Sequence, residues 1–371
     1  MTPTIFTRMS ALAAQHSAIN LGQGFPDFPV DERLGELVYA AIREGYNQYA
    51  PMAGLPVLRT AIAEDFRKRH GVEIDAEAEV TITPGATYGI YVAFASVLSP
   101  GDEAILLEPA YDSYIPNIRA CGAIPVAVPL KSPDFSPDWE AIAAAITSRT
   151  RAIIINTPHN PTGAAWSAED WNSLAGLLCG KDITVLADEV YEQIVFDGRA
   201  HQSILQHEEL RGKSFALYSF GKSLHATGWK MGYCIAPPAL TQRFRQLHQY
   251  LAFSVNAPMQ KALADYLVLP QRKSPSEMLQ GKRDYFLELL KKTPFEVIAP
   301  AAGSYFQVVS YHKISSRPDG EFAEWLVTEK GVATIPVSAF YSNGKDEKLV
   351  RFCFAKKTET LEAAVVRLTD I

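Results

Sequence analysis

The sequence predicts an α/β protein: a large, mostly parallel sheet covered by helices on both faces, followed by a smaller α+β unit. Three observations predict it. Seven short β-rich runs recur through the middle of the chain, helix-period segments lie between several of them, and a polar, proline-marked stretch, Pro270-Gln271-Arg272-Lys273-Ser274-Pro275, sets off the last hundred residues. At 371 residues the chain is long enough for two or three domains and a large core.

Taken in order, the segment up to Asn20 has no apolar run long enough for a signal peptide. Gly22-Gln23-Gly24-Phe25-Pro26-Asp27-Phe28-Pro29 is too rich in turn formers for a helix or a long strand and reads as a loop. The seven runs fall at Val80–Thr83, Ala104–Leu107, Ile124–Val128, Ala152–Ile155, Ile183–Ala187, Phe215–Ser219 and Gly232–Ala236. Strands that are apolar throughout and joined by helices suit a parallel sheet with both faces buried. Helical periodicity marks Thr87–Leu98, Trp139–Ile146 and Ala168–Leu178, the last opened by Ser167 as N-cap with Glu169 and Asp170 in its first turn. Beyond the boundary come a helix at about Glu277–Lys292, a strand opening at Gly303-Ser304-Tyr305-Phe306, a helix near Phe322–Glu329 and a strand near Leu349–Phe354. This α+β segment is expected to pack on the large domain and close one side of a cleft.

Composition narrows the function. A charge of −6 and no basic block beyond Arg67-Lys68-Arg69, which reads as a solvated helix face, argue against a nucleic-acid partner. No stretch of 18 or more apolar residues occurs, so no membrane span is expected and a cytoplasmic location is the default. The cysteines at 121, 179, 234 and 353 lie far apart with no C-x-x-C spacing, which indicates neither a metal site nor a redox pair; buried thiols are expected.

The chemistry gathers at the ends of the apolar runs. Phe215-Ala216-Leu217-Tyr218 leads into Ser219-Phe220-Gly221-Lys222, which presents one amine, and Lys230 follows eight residues later. Asp188 ends Ile183–Ala187, where an unpaired carboxylate is costly and needs a cationic or N–H partner. Asn160 lies in the turn after Ala152–Ile155, and Tyr191 lies three residues past Asp188. An amine, a carboxylate, a phenol and an amide at successive strand ends are the groups that pyridoxal 5'-phosphate needs: a lysine for a Schiff base with its aldehyde, a carboxylate that keeps its ring nitrogen protonated, and donors to its ring oxygen. Thr83-Pro84-Gly85-Ala86-Thr87, between a strand and a helix, supplies backbone N–H groups for a phosphate; Thr87 and Ser219 add hydroxyls and Lys230 a cation. Tyr111 could stack on the ring face or be a core tyrosine, with Tyr114 the less favoured stacker. Arg351, amid Val350, Phe352 and Phe354, could grip a substrate carboxylate bidentately or belong to a structural salt bridge. Lys222 alone would read as a surface turn lysine; its neighbours reverse that. Glu189 competes with Asp188, but alternation turns it to the opposite face.

Together these residues resemble the class I/II aminotransferases, the aspartate-aminotransferase-like, fold-type I family of pyridoxal phosphate enzymes. The resemblance runs through Gly22–Pro29, Asn47-Gln48-Tyr49, Gly85–Thr87, Glu108–Tyr114, Asn156–Gly163, Asp188–Glu192, Ser219–Tyr233 and Arg351–Lys357. Residues 20–29, 47–49 and 351–357 are most similar to the methionine and kynurenine/glutamine-K transaminase branch. The resemblance implies an N-terminal segment (1–38) joining the small domain, a large cofactor-binding domain (39–268) with a seven-stranded sheet, and a C-terminal small domain (269–371). It implies Lys222 as the Schiff-base lysine and Asp188 on the pyridine nitrogen. Asn160 and Tyr191 would meet the ring oxygen, Tyr111 would stack, and Ala86, Thr87, Ser219 and Lys230 would hold phosphate. Arg351, Asn160 and the backbone of Gly24 would hold the substrate carboxylate. Phe25, Tyr111, Phe340 and Phe253 of the partner subunit would line the side-chain pocket. Tyr49 would reach the phosphate across a homodimer interface. Many relatives carry arginine where this chain has Lys230, which keeps the charge and loses the fork. The implied activity moves an amino group from methionine or an aromatic or glutamine-type amino acid to a 2-oxo acid; the alternative is a cysteine-conjugate C–S lyase using the same cofactor. A DNA-linked regulator lacks room before residue 22, and no G-x-G-x-x-G supports a dinucleotide fold.

Overall fold

All seven predicted runs are strands of one sheet in the structure, a computed structural model that describes residues 4–270, 272 and 274–371. Across the sheet they lie in the order Val80–Thr83, Gly232–Ile235, Ser214–Ser219, Thr184–Asp188, Thr150–Asn156, Glu103–Glu108, Ile124–Pro129. Gly232–Ile235 is antiparallel to both neighbours and every other pair is parallel. Six strands therefore end on one edge of the sheet, where open α/β folds place their ligands.

Alternation then decides which side chains meet there. Ile153, Ile155, Val185, Ala187, Ala216 and Tyr218 enter the core on one face. Ile154, Leu186, Phe215 and Leu217 enter the core on the other, with Ile90, Ala93 and Phe94 of helix Ala86–Val97. Two residues further along that second face come Asn156, Asp188 and Ser219, on three adjacent strands, with Asn156 paired in register to Asp188 and Asp188 to Leu217. Glu189 falls on the first face, where it accepts hydrogen bonds from Tyr218 (2.9 Å) and the Ile204 amide (2.8 Å), as alternation predicts.

The C-terminal part is an antiparallel sheet in the order Ile335–Pro336, Leu349–Cys353, Phe306–Ser310, Glu296–Val297. Helices Pro275–Leu290, Asp319–Lys330 and Thr358–Leu368 accompany it around a core that includes Phe286, Phe295, Phe322 and Phe352. The N-terminal segment belongs to this layer: helix Ile5–Gln15 packs on Asp319–Lys330, and Ile19–Asn20 pairs in parallel with Val332–Ala333. Helix Glu32–Arg43 instead packs on Ala257–Val268. These helices, with Pro56–His70 and Pro238–Leu251, are additions to the predicted elements. Gln271 and Lys273, within the predicted boundary, and Met1 to Pro3 lie outside the described residues.

The expectation of buried thiols holds for Cys234 and Cys353 and fails for Cys179, which is exposed because it sits past the C-terminus of a surface helix, Ala168–Leu178; Cys121 is half-buried. Among the described residues no helix is long and apolar enough to cross a membrane.

Candidate active site

A cavity of about 420 Å³ opens at the carboxyl edge of the large sheet, with residues of the N-terminal loop and the C-terminal antiparallel sheet in its wall. Lys222, Asp188, Asn160, Tyr191, Tyr111 and Arg351 all line it, although Tyr111 and Arg351 are 240 positions apart in the chain. Lys222 sits in a single helical turn, Phe220–Ser223, directly after strand Ser214–Ser219. Burial pulls its pKa down from 10.5 to about 8, so at neutral pH the amine is mostly protonated but its nucleophilic free form is far more populated than in an ordinary lysine. Its Nζ donates to the Tyr305 hydroxyl (2.8 Å) and to the Gly24 carbonyl (3.3 Å).

Asp188 is buried at its strand end, and desolvation raises its pKa to about 6 despite a 2.5 Å hydrogen bond donated by Tyr114. The carboxylate thus has only neutral donors, Tyr114 and, at 3.4 Å, the Val190 amide, and room in the cavity for a cationic one. Asn156 ties this strand end to the neighbouring loop: its Nδ2 donates to the Asp188 carbonyl (2.8 Å) and its Oδ1 accepts from the Asn160 amide (2.8 Å). Tyr191 is buried, and desolvation raises its pKa, so its phenol stays protonated and can donate.

The anion cradle sits at the start of helix Ala86–Val97. Gly85, at φ 86°, makes the turn, and no side chain caps the helix, so its first N–H groups face the cavity that Gly85, Ala86 and Thr87 line. A Cβ placed on Gly85 would sit 3.4 Å from Lys230 Nζ, which puts the ammonium over the same turn. Ser219 lines the cavity beside them. Backbone donors, a hydroxyl and a point charge around one end of a cavity fit a phosphate, and the Lys230 departure changes the fork and not the charge.

Arg351 lines the same cavity and is 1% exposed. Its Nη1 donates to Asn160 Oδ1 (2.6 Å) and its Nη2 to the Gly22 carbonyl (2.6 Å), while its guanidinium carbon lies 3.9 Å from the centre of the Phe306 ring. Its Nε is buried without a partner. Burial lowers its pKa to about 10, which leaves it charged at neutral pH. Among the described residues no carboxylate forms an ion pair with it, so the salt-bridge alternative fails. A buried cation with only neutral acceptors is a site for an anion.

The structure separates the two tyrosines: Tyr111 faces the cavity, whereas Tyr114, 5.7 Å away edge-on, is buried beneath it on Asp188. Three predicted pocket residues are not brought into the cavity wall of this chain. Phe25 is half-exposed because its carbonyl is held by Lys356 (2.7 Å) with the ring over that ammonium. Tyr49 is 82% exposed, edge-on to Phe253. Phe340 packs behind Arg351 and against Phe6. Tyr114, Asn156, Tyr305 and Phe306 are additions to the predicted site. Tyr305 and Phe306 appear in the sequence only as a strand start, and Asn156 only as the residue opening the Asn160 motif.

The model of the family described as Aminotransferase class I and II matches residues 16–368 of the chain. The chain is a class I and II aminotransferase. It is 45% identical to methionine aminotransferase of Escherichia coli (strain K12), over 99% of this chain and 96% of that protein. It is 33% identical to human kynurenine–oxoglutarate transaminase 3, over 97% and 86%. In three dimensions it matches the crystal structure of YbdL from Escherichia coli, identified as a methionine aminotransferase, with a TM-score of 0.95 at 45% identity, covering 100% of this chain and 98% of that one. It also matches aspartate aminotransferase from Thermus thermophilus with maleate, with a TM-score of 0.90 at 29% identity, covering 100% and 97%. This aminotransferase therefore has the fold-type I architecture and uses pyridoxal 5'-phosphate, whose requirements match the cavity: an amine at 222, a buried carboxylate at 188 and an uncapped helix start under Lys230. Nothing in the site favours the C–S lyase alternative, and the relatives named here are aminotransferases.

Proposed function

We propose that this aminotransferase takes its amino group from methionine or from an aromatic or glutamine-type amino acid and passes it to a 2-oxo acid, in the cytoplasm and as a homodimer. The observation that carries the reading is Arg351: one buried guanidinium, partnered by neutral oxygens only, in the wall of the cavity that the cradle at Gly85 also lines. It suits a single α-carboxylate, and the other cavity cations, Lys222 and Lys230, are engaged by amine chemistry and phosphate. The names of the relatives supply the donor class.

In this reading pyridoxal phosphate, when bound, supplies the electron sink that stabilises charge on the substrate's α-carbon. Ala86, Thr87, Ser219 and Lys230 would hold its phosphate, Asp188 its ring nitrogen, Asn160 and Tyr191 its ring oxygen, and Tyr111 its face. Arg351, Asn160 and the backbone of Gly24 orient the carboxylate, so that the α-hydrogen faces Lys222. The Lys222 amine takes that proton at Nζ and returns it on the cofactor side. Asp188 would stay ionised with the cofactor bound, its charge matched by a pyridinium N–H.

The homodimer is supported by the exposed Tyr49 and Phe253, whose rings meet edge-on with centres 5.2 Å apart and present an apolar pair to solvent, with Tyr250 and Leu251 exposed nearby in the chain. A second copy would cover these and let Tyr49 reach the phosphate of its neighbour; Phe25 and Phe253 would complete the side-chain pocket there. The division at residues 38 and 268 is part of the same reading, supported by the pairing of Ile19–Asn20 with Val332–Ala333.

The test mixes the loaded enzyme with methionine, phenylalanine, glutamine, kynurenine and aspartate in turn and follows conversion of the cofactor to its amine form. Conversion by the first four is expected; a response to aspartate alone overturns the donor assignment. Sedimentation at micromolar concentration is expected to give twice the chain mass, and a monomer would remove the role of Tyr49.

A further inference from the structure

We infer that Tyr305 is a positioning residue that aims the Lys222 amine at the reacting carbon. The inference rests on the aminotransferase reading of Lys222 and adds a residue to it. Three contacts carry it. Lys222 Nζ lies 2.8 Å from the Tyr305 hydroxyl and 3.3 Å from the Gly24 carbonyl, and the hydroxyl itself donates to that carbonyl at 2.6 Å. Because its own hydrogen goes to Gly24, Tyr305 can only accept from Lys222. A neutral amine has two N–H groups and one lone pair. With one N–H on Tyr305 and the other on Gly24, the lone pair points away from both.

The hydroxyl is held in place from two sides. The ring is fully buried, edge-on to Tyr191 (5.1 Å between centres) and to Phe306 (4.9 Å). Its acceptor is fixed as well, since Arg351 holds the carbonyl of Gly22 and Lys356 that of Phe25, on either side of Gly24. Tyr305 thereby joins the amine that moves the proton to the loop whose other end is gripped by the carboxylate-binding arginine. An amine able to rotate about its four-carbon stem would spend much of its time misdirected; holding it removes that loss.

The test uses Tyr305→Phe, which deletes only the hydroxyl, and 3-fluorotyrosine incorporated at position 305, which keeps the hydroxyl and weakens it as an acceptor. In the protein stripped of cofactor, reductive methylation of Lys222 is followed by mass spectrometry across pH. Tyr305 accepts from the ammonium form more strongly than from the amine, so its loss moves the midpoint below that of the parent. In the loaded enzyme, rapid mixing with methionine and with α-deuterated methionine is expected to show proton transfer slowed about 10- to 100-fold, a larger isotope effect and a KM within about twofold of the parent. The fluorinated protein is expected to shift in the same directions by less, and it decides the matter alone if Tyr305→Phe does not fold. An unchanged Lys222 midpoint, or an unchanged rate and isotope effect, overturns the inference. A loaded parent enzyme that methionine does not convert would overturn the donor assignment instead, while the methylation midpoint still tests Tyr305.

Discussion

Replacing Asp188 by asparagine should make the cofactor-stripped protein more stable while nearly abolishing its activity. Asp188 is 4% exposed, and desolvation raises its pKa from the ordinary 3.8 to about 6. The gap corresponds to about 3 kcal/mol, at about 1.4 kcal/mol per pH unit. For an acid whose folded pKa is raised, this penalty is absent below pH 3.8, grows between 3.8 and about 6, and is complete above that. Asparagine escapes it and keeps an oxygen to accept the Tyr114 hydroxyl. Thermal unfolding of stripped parent and Asp188→Asn should therefore coincide near pH 4 and diverge as pH rises, with the variant ahead by up to about 3 kcal/mol at pH 8. Loading with pyridoxal phosphate should reverse the order, because only the carboxylate is matched by a pyridinium N–H. Turnover should fall by about 10²-fold or more, as when a preorganised electrostatic partner is removed. A stability difference independent of pH, or a less stable variant at pH 8, would refute the view that this carboxylate waits in a desolvated site for a cation.

Three further outcomes are expected. Lys222→Ala should lose the absorbance of covalently held cofactor and all transamination, and in the parent the rate of cofactor capture should rise through pH about 8; a midpoint near 10 would mean that burial is not felt at the amine. Arg351→Gln removes the charged half of a carboxylate contact worth about 2–3 kcal/mol, so KM for the amino acid should rise about 30- to 150-fold with cofactor affinity unchanged, as measured by half-reaction titration; an unaltered KM would place the carboxylate elsewhere. Gly232→Ala puts a Cβ 2.6 Å from the Tyr218 carbonyl and 3.0 Å from the Ala86 amide, so stability should fall by about 1–3 kcal/mol and phosphate affinity with it; a protein indistinguishable from the parent in melting and cofactor titration would show that strand and cradle yield more easily than their packing implies.

Much of this was legible in the residues because it is local. A strand's apolar run ends where its sheet ends, so Asp188 and Ser219 declared themselves as polar residues closing such runs, and period-two alternation set Asp188 and Glu189 on opposite faces. The turn at Gly85 and the lysine at 222 carry their geometry in a few neighbouring residues. Arg351 stood out as a lone charge in an apolar strand with two readings open, and resemblance favoured the carboxylate-binding one. Folding alone settled the partnerships. Tyr114 and Asp188 are 74 residues apart, Lys222 and Tyr305 are 83, and Arg351 and Gly22 are 329. No spacing rule reaches across such intervals, since the contacts exist only because crossing strands and a returning N-terminal loop converge on one edge. The same convergence kept Tyr111 in the cavity, sank Tyr114 beneath it, and left Phe25 and Tyr49 at the surface. Local pattern chooses which groups stand at strand ends; three-dimensional packing chooses which of them touch, and so sets the protonation state and aim of each.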